Sequence, residues 1–184
     1  CCDGRNDGRC PYLLTKMAFE RSKFSVTNYP YFLTERMYVG KFPTRNVLVC
    51  DECHTIEKQL LRFGELIITQ EKLREWDLRG LTVPEYDDVQ QFLGWLEKRY
   101  LFVVEDRAKT LQMFLESDPA ACKDPKLTQK LTALNNQVQK VKLAIEGVNA
   151  RPDDWVYWTE ETERDGSAAS LKPLVAAPYM DLVR

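Results

Sequence analysis

Two stretches of the chain carry sustained helical periodicity. Residues 85–117 place Val89, Leu93, Leu96, Tyr100, Val103, Leu111 and Leu115 at largely helical spacing. Residues 125–148 are more regular. Leu127, Leu131, Leu134, Val138, Val141, Ile145 and Val148 follow one another in alternating steps of four and three. That alternation is the a/d pattern of a helix packed along a narrow apolar seam. The break Cys122-Lys123-Asp124-Pro125 separates the two stretches, so an antiparallel helical hairpin is predicted.

The flanking patterns are shorter. Residues 1–10 are polar and Gly-containing and read as a loop. Residues 11–22 read as a helix with Pro11 in its first turn, and 24–27 as a short strand. Asn28-Tyr29-Pro30 breaks that strand, and 31–38 read as a helix ended by Gly40 and Pro43. Residues 46–50, Asn46-Val47-Leu48-Val49-Cys50, form an apolar run of strand length, the signature of a strand buried on both faces of a parallel sheet. A helix over 55–64 and an extended piece over 65–68 follow. Trp155-Val156-Tyr157-Trp158-Thr159 and Ala169 to Val175 read as two strands joined through the turn signal Asp165-Gly166. Trp155 and Trp158, three apart on a strand, face opposite sides. A further helix starts at Pro178. The predicted fold class is α/β with a helical insertion.

Composition narrows the function less than it narrows the fold. The 184 residues suit one domain or a domain with a sizeable insertion, and 44% apolar content is ordinary for a globular protein. A net charge of −2 gives no basic field from which nucleic-acid binding could be argued. Residues 1–69 hold 10 Lys/Arg against 8 Asp/Glu, and the rest of the chain holds 16 against 20. Cys1, Cys2 and Cys10 crowd the start, Cys50 and Cys53 flank an acidic pair, and Cys122 stands alone. That distribution does not suit a small secreted disulfide framework, so an intracellular location is expected, with thiols free or on metal. No apolar run reaches the ~20 residues of a membrane span, and no signal peptide is visible. The opening Cys1-Cys2-Asp3-Gly4-Arg5 reads as the interior of a longer chain.

Chemistry concentrates at Asp51-Glu52-Cys53-His54, directly after the apolar run. Ligand sites of open α/β sheets lie outside the carboxyl ends of their strands. A carboxylate there can hold Mg²⁺, and a second one can orient or deprotonate a water for phosphoryl transfer. Two acids at a strand end are common by themselves. The added His54 is the only histidine in the chain. Cys50-x-x-Cys53 with His54 also resembles half a zinc site, but no second ligand pair sits at zinc-finger spacing.

These residues resemble the XPD/DinG-type superfamily 2 helicases, the Rad3-like iron–sulfur group with a DEAH box. The family's usual Asp-Glu-Ala-His appears here as Asp51-Glu52-Cys53-His54. Upstream, Cys10-Pro11-Tyr12 and then Asn28-Tyr29-Pro30-Tyr31-Phe32-Leu33 follow the family's order and rough spacing, with Pro30 where His is common. The likeness is specific at residues 10–12 and 28–54 and only architectural beyond about 70. It implies an α/β fold that is part of a RecA-like P-loop motor domain with an inserted α-helical arch-like domain. Residues 1–23 would end an iron–sulfur domain. Residues 24–69 and 151–184 would belong to the first motor domain, and 70–150 would be the arch. It also implies an ATP-dependent 5′ to 3′ helicase acting as a monomer on single-stranded or forked DNA. Asp51 would bind magnesium, Glu52 would activate water, and His54 would link the nucleotide site to bound DNA. Cys10, with Cys2 or Cys1, would supply part of the ligand set of a 4Fe–4S cluster, whose four thiolates need further cysteines.

Nucleic-acid contacts are expected from Tyr12, Arg9 and Tyr29, whose aromatic rings could stack on bases. Packing inside the protein competes as a role for Tyr29, Tyr31 and Phe32. Arg5, Arg9, Lys16, Arg21 and Lys23 could track phosphates or form a solvated surface. A helicase motor also needs Gly-x-x-x-x-Gly-Lys-Ser/Thr, and Gly40-Lys41-Phe42 does not qualify. The chain alone is therefore expected neither to bind ATP tightly nor to hydrolyse it. Two alternatives stand beside this reading. One is a DinG-like nuclease or mobile-element protein. The other is a non-enzymatic helical-hairpin interaction module resting on the heptads at 127–148.

Overall fold

The heptad seam is consumed inside the chain. In the computed structural model, which describes residues 11–36, 42, 47–78, 80–118, 120–162 and 166–176, the second helical stretch is one helix, Pro125–Ala150. Leu134, Val138, Val141 and Val148 are buried, and Leu127, Leu131 and Ile145 pack against the same core. Each fully buried aliphatic side chain contributes roughly 1.5–3 kcal/mol over leaving it in water. Pro125 opens the helix, and the Asp124 carboxylate accepts the Lys126 N–H at 2.9 Å, so the predicted break doubles as a cap.

The elements run α1 (Pro11–Arg21), α2 (Tyr29–Thr34), a 3₁₀ turn (Cys53–Thr55), α3 (Ile56–Gly64), β1 (Leu66–Thr69), α4 (Gln70–Glu75), α5 (Val89–Trp95), a π turn (Leu96–Tyr100), α6 (Leu101–Ser117), α7 (Pro125–Ala150), β2 (Trp155–Thr162) and β3 (Gly166–Pro173). Short 3₁₀ turns at Ala121–Lys123 and Pro152–Asp154 flank α7. The predicted helix over 85–117 thus begins at Val89 and contains a π turn. Phe92, Leu96, Tyr100, Val104 and Ala108 are all buried at steps of four. A helix of 3.6 residues per turn carries such a row off its face, and the wider π turn brings it back.

α6 and α7 form the antiparallel hairpin. Glu105 pairs with Lys142 at 2.7 Å and Glu97 meets Asn149 at 3.3 Å, so rising numbers on one helix face falling numbers on the other. In the seam, the Gln137 amide donates to the buried Tyr100 hydroxyl at 3.1 Å. Burial pushes that phenol above its ordinary pKa.

The sheet has three antiparallel strands in the order β1-β3-β2. Leu66 pairs with Leu171, which pairs with Tyr157, giving one apolar row toward the helices. Tyr157 stacks on Phe92 at 4.4 Å, and its hydroxyl donates to the Pro84 carbonyl at 3.2 Å, docking α5 and the preceding loop on β2. Trp155 is buried and Trp158 only partly so, in line with opposite facing. One continuous core links Leu33 and Leu60 through the helices to Trp155 and Leu171. Pairing of β1 with β3 brings the two ends of residues 70–150 together in one sheet.

Two expected strands are not strands. Residues 24–27 carry no strand pairing. The Ser25 hydroxyl donates to the Phe19 carbonyl at 2.7 Å and the Phe24 N–H donates to the Ser22 hydroxyl at 3.2 Å. The chain there folds back on the end of α1, because serine side chains satisfy backbone groups that a ladder would otherwise use. Residues 47–50 are also without strand pairing, while Val26 is 96% and Val49 85% exposed. A β-prone run becomes a strand only beside a partner. Among the described residues none lies next to this one, and no parallel pair is present. Residue 46, Cys1, Cys2, Arg9 and Cys10, the end of the helix predicted over 31–38, and the helix predicted from Pro178 lie outside the described residues. No helix among the described residues is long and apolar enough to cross a membrane.

Candidate functional site

Asp51 and Glu52 form a turn between residues 47–50, which carry no regular secondary structure, and the 3₁₀ turn that opens α3. Glu52 sits at φ 50°, ψ 42°, a left-handed conformation that costs a non-glycine residue roughly 1–2 kcal/mol. Local bonds hold it there. The Thr55 N–H and hydroxyl both donate to the Glu52 carbonyl, at 2.8 and 2.9 Å. The Glu52 N–H donates to the Asp51 carboxylate at 2.9 Å.

The turn is anchored from α2. Asn28 caps that helix by accepting the Tyr31 N–H at 2.9 Å, and Pro30 lies in its first turn. The cap sets Tyr29 so that its hydroxyl donates to the Asp51 carbonyl at 2.5 Å. Partial desolvation, then the neighbouring Cys50, Cys53 and Asp51, raise the pKa of that phenol.

Asp51, Glu52 and His54 are therefore gathered within one turn, all exposed. The Glu52 carboxylate lies 3.4 Å from the His54 Nδ1, a contact that becomes an ion pair when the imidazole is protonated. One oxygen of Asp51 is engaged by the backbone; a single carboxylate with water and phosphate oxygens is a common Mg²⁺ arrangement. Among the described residues no group of three or more His, Cys, Asp or Glu side chains is gathered to hold a metal ion by itself.

Other expected site residues are distributed differently. Tyr12 lies exposed on α1, apart from any bond to the turn. Tyr29 uses its hydroxyl on the turn rather than offering only a stacking face. Tyr31 and Phe32 pack with Phe19 and Phe42, with ring centroids 5.3–6.4 Å apart across the cluster, so they are packing residues. Lys16 is withdrawn from any phosphate-tracking patch by its 2.5 Å ion pair with Glu35. The hydrogen bond to Glu35 raises the Lys16 pKa. Glu35 is 4% exposed, and its second oxygen has no partner among the described residues. No local pattern announced it, because its partner stands 19 residues away.

Compared with known proteins, the chain matches no family model, no curated protein and no solved structure. Functional assignment therefore rests on the residues of the turn and on the fold that holds them.

Beside the turn, α3 presents Glu57, Lys58, Leu61 and Arg62, which with Glu65 just past its end and Lys172 line a shallow open hollow. Three cations against two carboxylates leave it with mixed charge and one net positive charge.

Proposed function

We propose that this chain is part of an ATP-driven DNA helicase motor in which Asp51-Glu52-Cys53-His54 handles the nucleotide's magnesium and the attacking water. The observation that carries the proposal is the gathering of two adjacent carboxylates and an imidazole in one solvent-open turn, after an apolar segment and before a helix. In this reading Asp51 holds Mg²⁺, Glu52 orients and deprotonates water, and His54 restrains Glu52 until DNA is bound. Bound ATP supplies the phosphoryl group, and Mg²⁺ neutralises its charge. The exposed Val47, Leu48 and Val49 support a RecA-like setting, since such a segment has apolar flanks for neighbouring strands to cover. The β1–β3 pairing supports reading the helices of 70–150 as an arch-like insertion. The 4Fe–4S cluster rests on Cys1, Cys2 and Cys10 in the sequence alone. The partners are single-stranded or forked DNA, and the motor works as a monomer inside the cell.

DNA-stimulated ATP hydrolysis by the product of the complete reading frame tests this. Glu52→Gln should lower kcat by about 10²–10⁴-fold, the usual contribution of a general base, with ATP binding retained. The 184 residues alone should show no turnover, for want of a phosphate-binding loop. Unchanged hydrolysis in the Glu52→Gln product refutes the proposal, as does turnover by the isolated chain.

A second reading, a non-enzymatic interaction module, draws on the outer face of α6. Phe102 and Met113, each 69% exposed, lie three turns apart there. Self-association through the heptad seam does not fit it, because that seam is already filled by the chain's own core.

A further inference from the structure

Cys50 and Cys53 are not used by the proposed nucleotide chemistry, yet they frame it. They occupy the first and fourth positions of the turn whose middle residues are Asp51 and Glu52. Such a turn brings its end Cα atoms within about 7 Å, and disulfides bridge Cα pairs about 4.4–6.8 Å apart. Both are free thiols; Cys53 is exposed and Cys50 half-buried. Both cysteines help to raise the pKa of one nearby group, the Tyr29 phenol, whose hydroxyl donates to the Asp51 carbonyl between them. Metal binding does not account for the pair, since the described residues gather no third ligand around it.

We propose that Cys50 and Cys53 form a reversible redox pair that closes a disulfide around Asp51 and Glu52. The oxidant is a low-molecular-weight disulfide such as glutathione disulfide. The exposed Cys53 sulfur attacks one glutathione sulfur and forms a mixed disulfide, and one glutathione leaves with a proton. The Cys50 sulfur then attacks the Cys53 sulfur, the internal bond forms, and the second glutathione leaves with the other proton. Two electrons pass from the cysteine pair to the oxidant, and one glutathione disulfide becomes two glutathiones. The half-buried position of Cys50 suits the second step, which needs only its neighbour's sulfur. Closure locks the turn that carries Glu52 in its left-handed conformation, so the redox state sets how far the acidic pair can move. A thiol reductant reverses the exchange.

The proposal goes beyond the helicase reading and is tested without ATP. The 184-residue protein is equilibrated in reduced or oxidised glutathione, quenched in acid, alkylated and digested with trypsin. Cleavage after Arg45 and Lys58 leaves both cysteines in one peptide, residues 46–58. In the oxidised buffer that peptide should lose two hydrogens and take up no alkylating agent. Dithiothreitol should restore double alkylation. In Cys50→Ser the same peptide should instead carry one glutathione on Cys53. Three outcomes overturn the proposal. Both cysteines stay fully alkylated in the oxidised buffer; glutathione adds without an internal bond in the wild type; or either cysteine links to Cys122 or to Cys1, Cys2 or Cys10.

Discussion

Replacing Gly147 with alanine probes the junction that holds the helical hairpin to the sheet. Gly147 lies in the last turn of α7, against the buried indole of Trp155 at the start of β2. A Cβ on residue 147 would stand 2.5 Å from Trp155 Cζ2, 3.1 Å from Cε2 and 3.3 Å from Nε1. Carbon atoms in favourable contact are about 3.5–4.0 Å apart, so helix and strand must separate by about 1 Å. The ring cannot turn aside easily, being packed and rigid. Overpacking of this kind costs about 1–3 kcal/mol. Alanine returns at most about 1 kcal/mol of helix propensity, and less near a frayed helix end. The net expectation is a loss of about 1–2 kcal/mol, which for a chain of this size lowers Tm by about 2–8 °C. Thermal unfolding followed by circular dichroism measures it. In a Trp155→Phe background, where the six-membered ring that meets the new Cβ is gone, the same substitution should become neutral or stabilising. A Gly147→Ala protein at least as stable as the wild type would refute the close approach of α7 and β2. Equal losses in the two backgrounds would refute the role given to Trp155.

Two further expectations concern the helical core. Tyr100→Phe removes the acceptor of the Gln137 amide inside the seam and should cost about 1–3 kcal/mol in urea unfolding; adding Gln137→Leu should recover part of that loss, and strict additivity would refute the pairing. Burial, then repulsion from Lys72, lowers the pKa of Lys140, with Glu65 opposing the shift. Its charged form is thus less favoured in the folded than in the unfolded chain, so wild-type stability rises with pH between the lowered value and the ordinary 10.5. Lys140→Met should be the more stable protein at neutral pH, and the gap should close as the pH approaches 10.5; a gap that persists through that range sinks the assignment.

The helical part of the fold was legible because its signals are local. The steps of four and three along α7, the Asp124-Pro125 cap and the break before it lie within 26 residues of helix and a short loop. Helix α1 and the β2–β3 hairpin were visible for the same reason, and Gly166, at φ 75°, stands at the predicted turn. The rest depends on pieces far apart in sequence. Nothing near Leu66 announces that β1 pairs with β3 rather than with a following strand. Trp76, Leu78, Leu81 and Val83 are buried in irregular chain between α4 and α5, where no period exists to reveal them. The π turn was present in the spacing of Leu96, Tyr100, Val104 and Ala108, but a step of four reads as helix until several are counted together.

The same distinction divides the candidate site. Asp51, Glu52 and His54 lie within four residues, so any tight turn brings them together, and their proximity could be read from the sequence. What the turn does with them could not. The left-handed Glu52 and its contact with His54 depend on the two bonds from Thr55, and the turn's position depends on a tyrosine hydroxyl 22 residues upstream. Tyr29 looked like a ring for a base to stack on because its neighbours are aromatic. Its hydroxyl is the part this fold uses, and Tyr31 and Phe32 supply the packing that keeps α2 in place to present it. An exposed acidic turn strained at one residue and anchored at another is poised to respond to whatever covers Val47–Val49 or bridges Cys50 to Cys53. Both are physical handles on the motif beyond the motif itself.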